Sequence, residues 1–196
     1  MEHYYSEQQK SLLNIKKIRQ KIKGIDFAFY SSSGVFSKER VDKGTLLLAE
    51  NMIIVKNSKV LDIGCGIGVL GIIAAKLFNA DVVMSDINKR AVMLAKKNIK
   101  LNSIKAEIYQ GNLFEKIKDK DFDAILSNPP QTAGKKICFE LIEKSKKYLR
   151  IGGSLQLVAR HNKGGKTLSK KMEEIFGNVK VIAKKAGYWI YMSVKE

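Results

Sequence analysis

A chain of 196 residues can bury one α/β domain and is short for two. Its 45% hydrophobic content is broken into short runs; none approaches the ~20 apolar residues of a membrane span, and Met1 to Glu7 lacks the charged-then-apolar design of a signal peptide, so a soluble cytoplasmic chain is expected. Lys and Arg number 36 against 19 acidic residues, a net charge of +17 that suits a polyanion, because acidic residues have not kept pace as they do in merely lysine-rich chains. Cys65, Cys138, His3 and His161 have no metal-ligand spacing, and no metal is expected.

Residues 11–23 place Leu12, Leu13, Ile15, Ile18 and Ile22 among Lys16, Lys17, Arg19, Lys21 and Lys23. A short helix and the first strand of a hairpin both fit, and the cations serve either phosphates or a solvated face. Residues 24–30 alternate Ile25, Phe27 and Phe29 with Asp26, Ala28 and Tyr30, the pattern of a half-buried strand. Asp42, Gly44 and Thr45 then start a helix over 46–52.

From Lys59 to Ile63 an apolar run breaks into Gly64-Cys-Gly-Ile-Gly68 and resumes as Val69 to Leu77, which reads as buried strand, glycine turn and helix. Glycines admit positive φ and bring backbone amides close to a ligand. Asp86 ends the next apolar run near the distance of a ribose-binding carboxylate. Val69 stands where the dinucleotide fingerprint wants its third glycine, and Asp62 before the turn suits loop amides or a cationic group better than a pyrophosphate.

The next elements are a crossover helix over 88–101, a strand over 106–109 and Gln110-Gly-Asn-Leu-Phe114. A strand over 122–127 releases Asn128-Pro-Pro130 from its carboxyl end, where open parallel sheets bind ligands. A helix over 137–149 is stopped by Ile151-Gly-Gly153 before a strand over 154–159. Then come a basic loop over 160–166, a helix over 168–176, and strands over 179–183 and 188–194 around the turn Lys184-Lys-Ala-Gly187.

The glycine turn, Asp86 and Asn128-Pro-Pro130 together resemble the class I S-adenosylmethionine-dependent methyltransferases, specifically the methyltransferase small domain group, from Tyr30 to the C-terminus. The resemblance implies a Rossmann-like α/β fold: a seven-stranded, mostly parallel sheet with a reversed last strand, helices on both faces and a short N-terminal β extension. Residues 1–196 would form one domain, with 1–45 as a basic extension and cofactor-closing segment. It also implies S-adenosyl-L-methionine held by Phe36, Thr45, Asp62, Gly64, Gly66, Gly68, Asp86, Ile87, Asn112, Leu113 and Asn128. Phe36 serves equally as core filler, and Asn112 equally as a turn residue, since many relatives carry aspartate there.

Asn128, Pro129 and Pro130 are the candidate catalytic residues. An exocyclic amino group is a poor nucleophile while its lone pair is delocalised into a ring; acceptors aimed at its N–H bonds favour the pyramidal transition state. Asn128 Oδ1 and the Pro129 carbonyl are those acceptors, and proline fixes φ without adding a competing N–H. Gln131 replaces an aromatic residue frequent in the family, so either Tyr30 or Phe36 stacks on the target or Gln131 reads a base edge instead, and Lys135 and Lys136 serve equally a phosphate near the target or a solvated turn.

The family's best-known members methylate guanine N2 in small-subunit ribosomal RNA, and relatives modify glutamine N5 or adenine N6. The expectation is therefore methylation of an exocyclic amino group in structured RNA, guanine N2 of ribosomal RNA ahead of transfer RNA. A protein glutamine N5-methyltransferase and a non-catalytic RNA-binding or assembly protein with a vestigial cofactor site are the alternatives.

Overall fold

The computed structural model of the chain describes residues 12–35, 40–129 and 134–196. Its centre is a seven-stranded sheet of β3 (Lys59–Ile63), β4 (Asp81–Asp86), β5 (Glu107–Gln110), β6 (Phe122–Ser127), β7 (Leu149–Arg160), β8 (Lys180–Lys185) and β9 (Tyr188–Val194), in the order β5-β4-β3-β6-β7-β9-β8. Strands β5 to β7 in that order pair in parallel, and β9 inserts antiparallel between β7 and β8. The reversed last strand is this β9.

Helices α1 (Lys43–Asn51), α2 (Val69–Phe78) and α3 (Lys89–Leu101) cover one face; α4 (Lys135–Tyr148) and α5 (Lys166–Phe176) cover the other. A sheet buried on both faces wants strands apolar on both sides, which Val60, Leu61 and Ile63 or Ala124, Ile125 and Leu126 supply. No helix among the described residues is long and apolar enough to cross a membrane, and no group of three or more His, Cys, Asp or Glu among them could hold a metal ion.

Residues 15–22 form a strand, not a helix: β1 (Ile15–Ile22) pairs antiparallel with β2 (Ile25–Ser32). Inward positions recur every second residue at Ile18, Gln20 and Ile22, and Lys23 and Gly24 both adopt positive φ (47° and 80°), the two-residue turn that matches strand twist. Phe27 and Phe29 reach the core shared by α1, α2 and α3. The hairpin is fastened to α3 by Asn98 and Asn102. Asn98 Oδ1 accepts from Tyr30 N (2.6 Å), while its Nδ2 donates to Tyr30 O (3.0 Å) and Ile67 O (2.9 Å); Asn102 Nδ2 donates to Ala28 O (2.8 Å).

Fully buried Asn98 thus ties β2 to the glycine turn. Replacing it with Leu strands three backbone groups, at a cost of about 2–3 kcal/mol, or a fall in melting temperature of roughly 5–10 °C for a chain this size. Thermal unfolding of Asn98→Leu within a degree of wild type would refute that role.

Among the boundaries that differ from the pattern reading, three have a visible physical reason. Helix α1 starts at Lys43, because Asp42 Oδ2 caps the amides of Gly44 (2.8 Å) and Thr45 (3.1 Å). Ile151 to Gly153 lie inside β7 rather than ending α4; at Gly153 a Cβ would stand 2.6 Å from Phe122 O, so glycine there lets β7 press against β6 at its register shift. Residues 161–165 form a kinked turn leading into α5 rather than an open loop, with Lys163 (φ −118°) and Gly164 (φ 105°) outside helical geometry.

Candidate active site

Beyond the carboxyl ends of β3, β4 and β6 lies a cavity partly open to solvent. It is bordered by Thr45 of α1, Asp62 of β3 and the turn that follows it, Asp86 at the end of β4 with Ile87 after it, Asn112 and Leu113 after β5, and Asn128 and Pro129 after β6. The sheet register brings residues from four separate loops to one end.

Gly64 and Gly66 have φ of 68° and 56°, and a Cβ built on either meets nothing within 4 Å. Their faces are open where a ligand would lie. The turn is held from behind: Gly64 N and Cys65 N donate to Ser85 O (2.9 and 3.1 Å), and Gly66 N donates to Asp86 Oδ2 (2.7 Å). Asp86 Oδ1 accepts from Asn88 N (2.8 Å). Burial raises the Asp86 carboxyl above its ordinary value, against the lowering pull of those amides. Asp86 therefore braces the turn while its carboxylate borders the cavity, where a diol could reach it.

Gly68 differs from its two neighbours. It caps α2 with φ 85°, is buried, does not line the cavity, and a Cβ there would stand 3.3 Å from Ala95 Cβ, Ile72 Cδ1 and Met84 Sδ. Its place is the packing of the helix on the sheet.

Asp62 takes its bond from helix α2 rather than from the loop: Oδ2 accepts from Gly71 N (2.9 Å). Burial pushes its carboxyl up from 3.8 to about 7; the Gly71 bond pulls the other way and the Asp86 charge adds to the rise. The native state thus holds a proton that the unfolded chain releases near its ordinary value. The associated stability is complete below the unfolded value and is lost as the pH rises through about 7. Denaturation of cofactor-free protein at pH 5.5 and 8 should show wild type losing stability relative to Asp62→Asn at the higher pH, whereas parallel behaviour would refute the shift.

On the β5 side, the Asn112 carbonyl accepts from Glu115 N (3.0 Å) and starts a tight turn. Leu113 is held at φ 48°, an uncommon region for a branched side chain, and its carbonyl accepts from Ser85 Oγ (2.9 Å). That bond fixes Leu113 at the cavity wall, with Ile87 on the same border.

Asn128 is held through its amide nitrogen. Its Nδ2 donates to Asp42 Oδ2 (3.0 Å) and Thr45 Oγ1 (2.9 Å). The reverse orientation would set Oδ1 against a carboxylate oxygen, so the Asp42 charge selects which end of the amide faces α1. Oδ1 is left for the other side, where Asn128 and buried Pro129 line the cavity. Ser127 Oγ donates to Ile63 O (2.8 Å) and ties the end of β6 to β3.

Tyr30 does not line the cavity; its backbone is bound to Asn98 and its ring packs on the core. Lys135 is exposed in the first turn of α4 and lies off the cavity wall. Phe36, Pro130 and Gln131 lie outside the described residues. Pattern reading passed over the clamp on Asn128, the brace at Ser85 and the links made by Asn98. Only Asn98 left a signal, a polar residue on the Ala91, Leu94, Ala95 face of α3 with Asn102 one turn on.

The strand order, the reversed β9, the open glycine turn and the acidic residue after β4 define a class I S-adenosylmethionine-dependent methyltransferase fold. The methyltransferase small domain family matches residues 26–192, and the chain belongs to that family. It is 38% identical over 198 residues to the uncharacterized protein YbxB of Bacillus subtilis strain 168, covering 99% of this chain and 98% of that one. It is 35% identical over 175 residues to ribosomal RNA small subunit methyltransferase C of Haemophilus influenzae strain 86-028NP, covering 87% of this chain and 52% of the relative.

Among solved structures, the T. thermophilus 16S rRNA N2 G1207 methyltransferase in complex with AdoMet and guanosine superposes with a TM-score of 0.83 at 26% identity, covering 95% of this chain and 52% of that one. The chain thus spans about half the length of these two methyltransferases. It is a methyltransferase with S-adenosylmethionine as its cofactor.

Proposed function

We propose that this protein methylates an exocyclic amino group in structured RNA, with guanine N2 of ribosomal RNA as the first candidate. The observation that carries the reading is the orientation of Asn128, whose Nδ2 is engaged by Asp42 and Thr45 so that Oδ1 is left for the cavity. The net charge of +17 and the ribosomal RNA targets in the names of two relatives support the RNA part.

S-adenosylmethionine, when bound, supplies a methyl group on a positively charged sulfur. Gly64 and Gly66 leave room for its backbone-facing side, Asp86 would take its ribose, and Asn112, Leu113 and Ile87 would border its ring. Asp62, buried at the inner end, would face its cationic end. Asn128 Oδ1 and the Pro129 carbonyl would accept the two N–H bonds of the target amine and favour pyramidal nitrogen. Their fixed placement supplies alignment, and the proton of the methylated amine passes to solvent. A base paired in a duplex has to be flipped or already free to enter.

The test supplies methyl-labelled S-adenosylmethionine with unmodified small ribosomal subunits, naked ribosomal RNA or protein extract. Products are then digested with ribonuclease or protease and the nucleosides analysed by mass spectrometry. Label in N2-methylguanosine is the expected result. Label resistant to ribonuclease and released by protease would replace this reading with glutamine N5 methylation.

A further inference from the structure

The carboxyl edge of the sheet continues past Asn128 onto strands that the cofactor cavity does not use. Ser127 of β6 pairs with Leu157, and β7 runs three residues further to Arg160. There Arg160 pairs with Tyr188, and Tyr188 with Lys185, so that Lys185, Tyr188 and Arg160 form one row across three strands. The guanidinium of Arg160 lies 5.1 Å from the centre of the Tyr188 ring. That ring presses on Gly44 so closely that a Cβ there would stand 2.9 Å from it. Gly44 lies beside Asp42 and Thr45, the two residues that hold Asn128, so the row abuts the proposed catalytic amide.

The adjacent row, Ala159, Trp189 and Lys184, turns to the opposite face of the sheet, so the two rows straddle its carboxyl edge, and this one carries a layered stack. Lys184 Nζ stands 4.0 Å over the Trp189 ring, and the His161 imidazole stacks on Trp189 at 3.4 Å between centres. His161 Nδ1 is 2.7 Å from the Tyr191 hydroxyl, and its backbone N donates to Gly187 O (2.9 Å), which ties the turn over 161–165 to the β8–β9 hairpin. His161, Tyr188 and Trp189 are only half-buried, and Arg160, Lys184 and Lys185 are exposed. Residues 151–172 and 175–195 contain no aspartate or glutamate, while holding Arg160, Lys163, Lys166, Lys180, Lys184 and Lys185.

We propose that the rim formed by Arg160, His161, Lys184, Lys185, Tyr188 and Trp189 is the surface that receives the RNA strand flanking the target base. The inference rests on the RNA reading above and deepens it. Cations held against aromatic rings lose little freedom when a phosphate arrives, and a half-buried ring such as His161, backed by Trp189, can stack on a base of any sequence. An acidic peptide would use the cations and leave the rings idle. The basic β1 strand has the charge but presents Lys16, Lys17, Arg19 and Lys21 on a strand without aromatic residues.

The test measures binding of a fluorescently labelled, unmodified small-subunit ribosomal RNA fragment by anisotropy between 50 and 200 mM salt. Calorimetric binding of S-adenosylmethionine serves as the check that each variant is folded. For Lys184→Ala/Lys185→Ala the salt slope should fall by about 1.4 and affinity roughly tenfold, the loss of two phosphate contacts. His161→Ala should weaken binding about fivefold at unchanged slope, as loss of one stacked base does. Lys16→Ala/Lys17→Ala on β1 should change both less. Unaltered RNA binding in the Lys184/Lys185 and His161 variants, with wild type binding normally, overturns the surface alone. No RNA binding by wild type overturns the RNA reading and the surface with it.

Discussion

Asn128→Ala should lower kcat roughly 100- to 1000-fold, the usual loss on removing one polar group aimed at a transition state, and leave S-adenosylmethionine affinity within a few-fold of wild type. The expectation follows from geometry: Nδ2 is spent on Asp42 Oδ2 and Thr45 Oγ1, so Oδ1 is the end available to a target amine. Near-normal turnover would remove Asn128 from the chemistry. Asp42 acts through Asn128 as a positioning residue. Asp42→Ala should lower kcat while sparing cofactor affinity, at the added cost of a helix cap worth about 1 kcal/mol. Asp42→Asn keeps an acceptor oxygen and a good cap, and should recover most of the rate. If Asp42→Ala lost only stability, the clamp would be a helix cap and nothing more.

Asp86→Ala should weaken S-adenosylmethionine binding at least about 100-fold, the equivalent of two charge-assisted hydrogen bonds. The same change strands the amides of Gly66 and Asn88, which the two carboxylate oxygens accept separately. Each stranded amide costs about 1–3 kcal/mol, so the melting temperature should fall by roughly 5–15 °C. Calorimetry well below the lowered melting temperature separates the two effects. Asp86→Asn retains one acceptor oxygen and should lie between. Cofactor affinity within about threefold of wild type in Asp86→Ala would refute the ribose assignment and leave Asp86 as a brace for the turn.

Much of the fold is written in local periodicity. Short apolar runs ending at Ile63, Asp86, Gln110 and Ser127, with helical spacing between them, already specify a parallel sheet covered on both faces. The Gly64 to Gly68 turn and Asn128-Pro129 are contiguous, and their chemistry is carried by residue type: glycine for positive φ, proline for a fixed carbonyl. These features place a cofactor turn and a candidate acceptor at the same end of one sheet from sequence alone.

Contacts between distant segments have no such local record. Asn128 meets Asp42 and Thr45 across 86 and 83 positions, and Asp42 by itself reads only as a helix cap. Gly68 looks like its neighbours in the turn, yet packing against Ala95, Ile72 and Met84 turns it toward the core. Asp62 takes its partner from Gly71 because α2 folds back over β3, and that burial, not its neighbours in sequence, raises its carboxyl to about 7. Tyr188 and Trp189 read as ordinary strand residues until β9 inserts beside β7 and sets them against Arg160 and His161. Sequence by itself determined the turn and the acceptor, since each depends on residues adjacent in the chain, and their spacing with Asp86 pointed to the class. Tertiary structure alone decided which way the acceptor faces and what surrounds it, since register and packing bring those partners together.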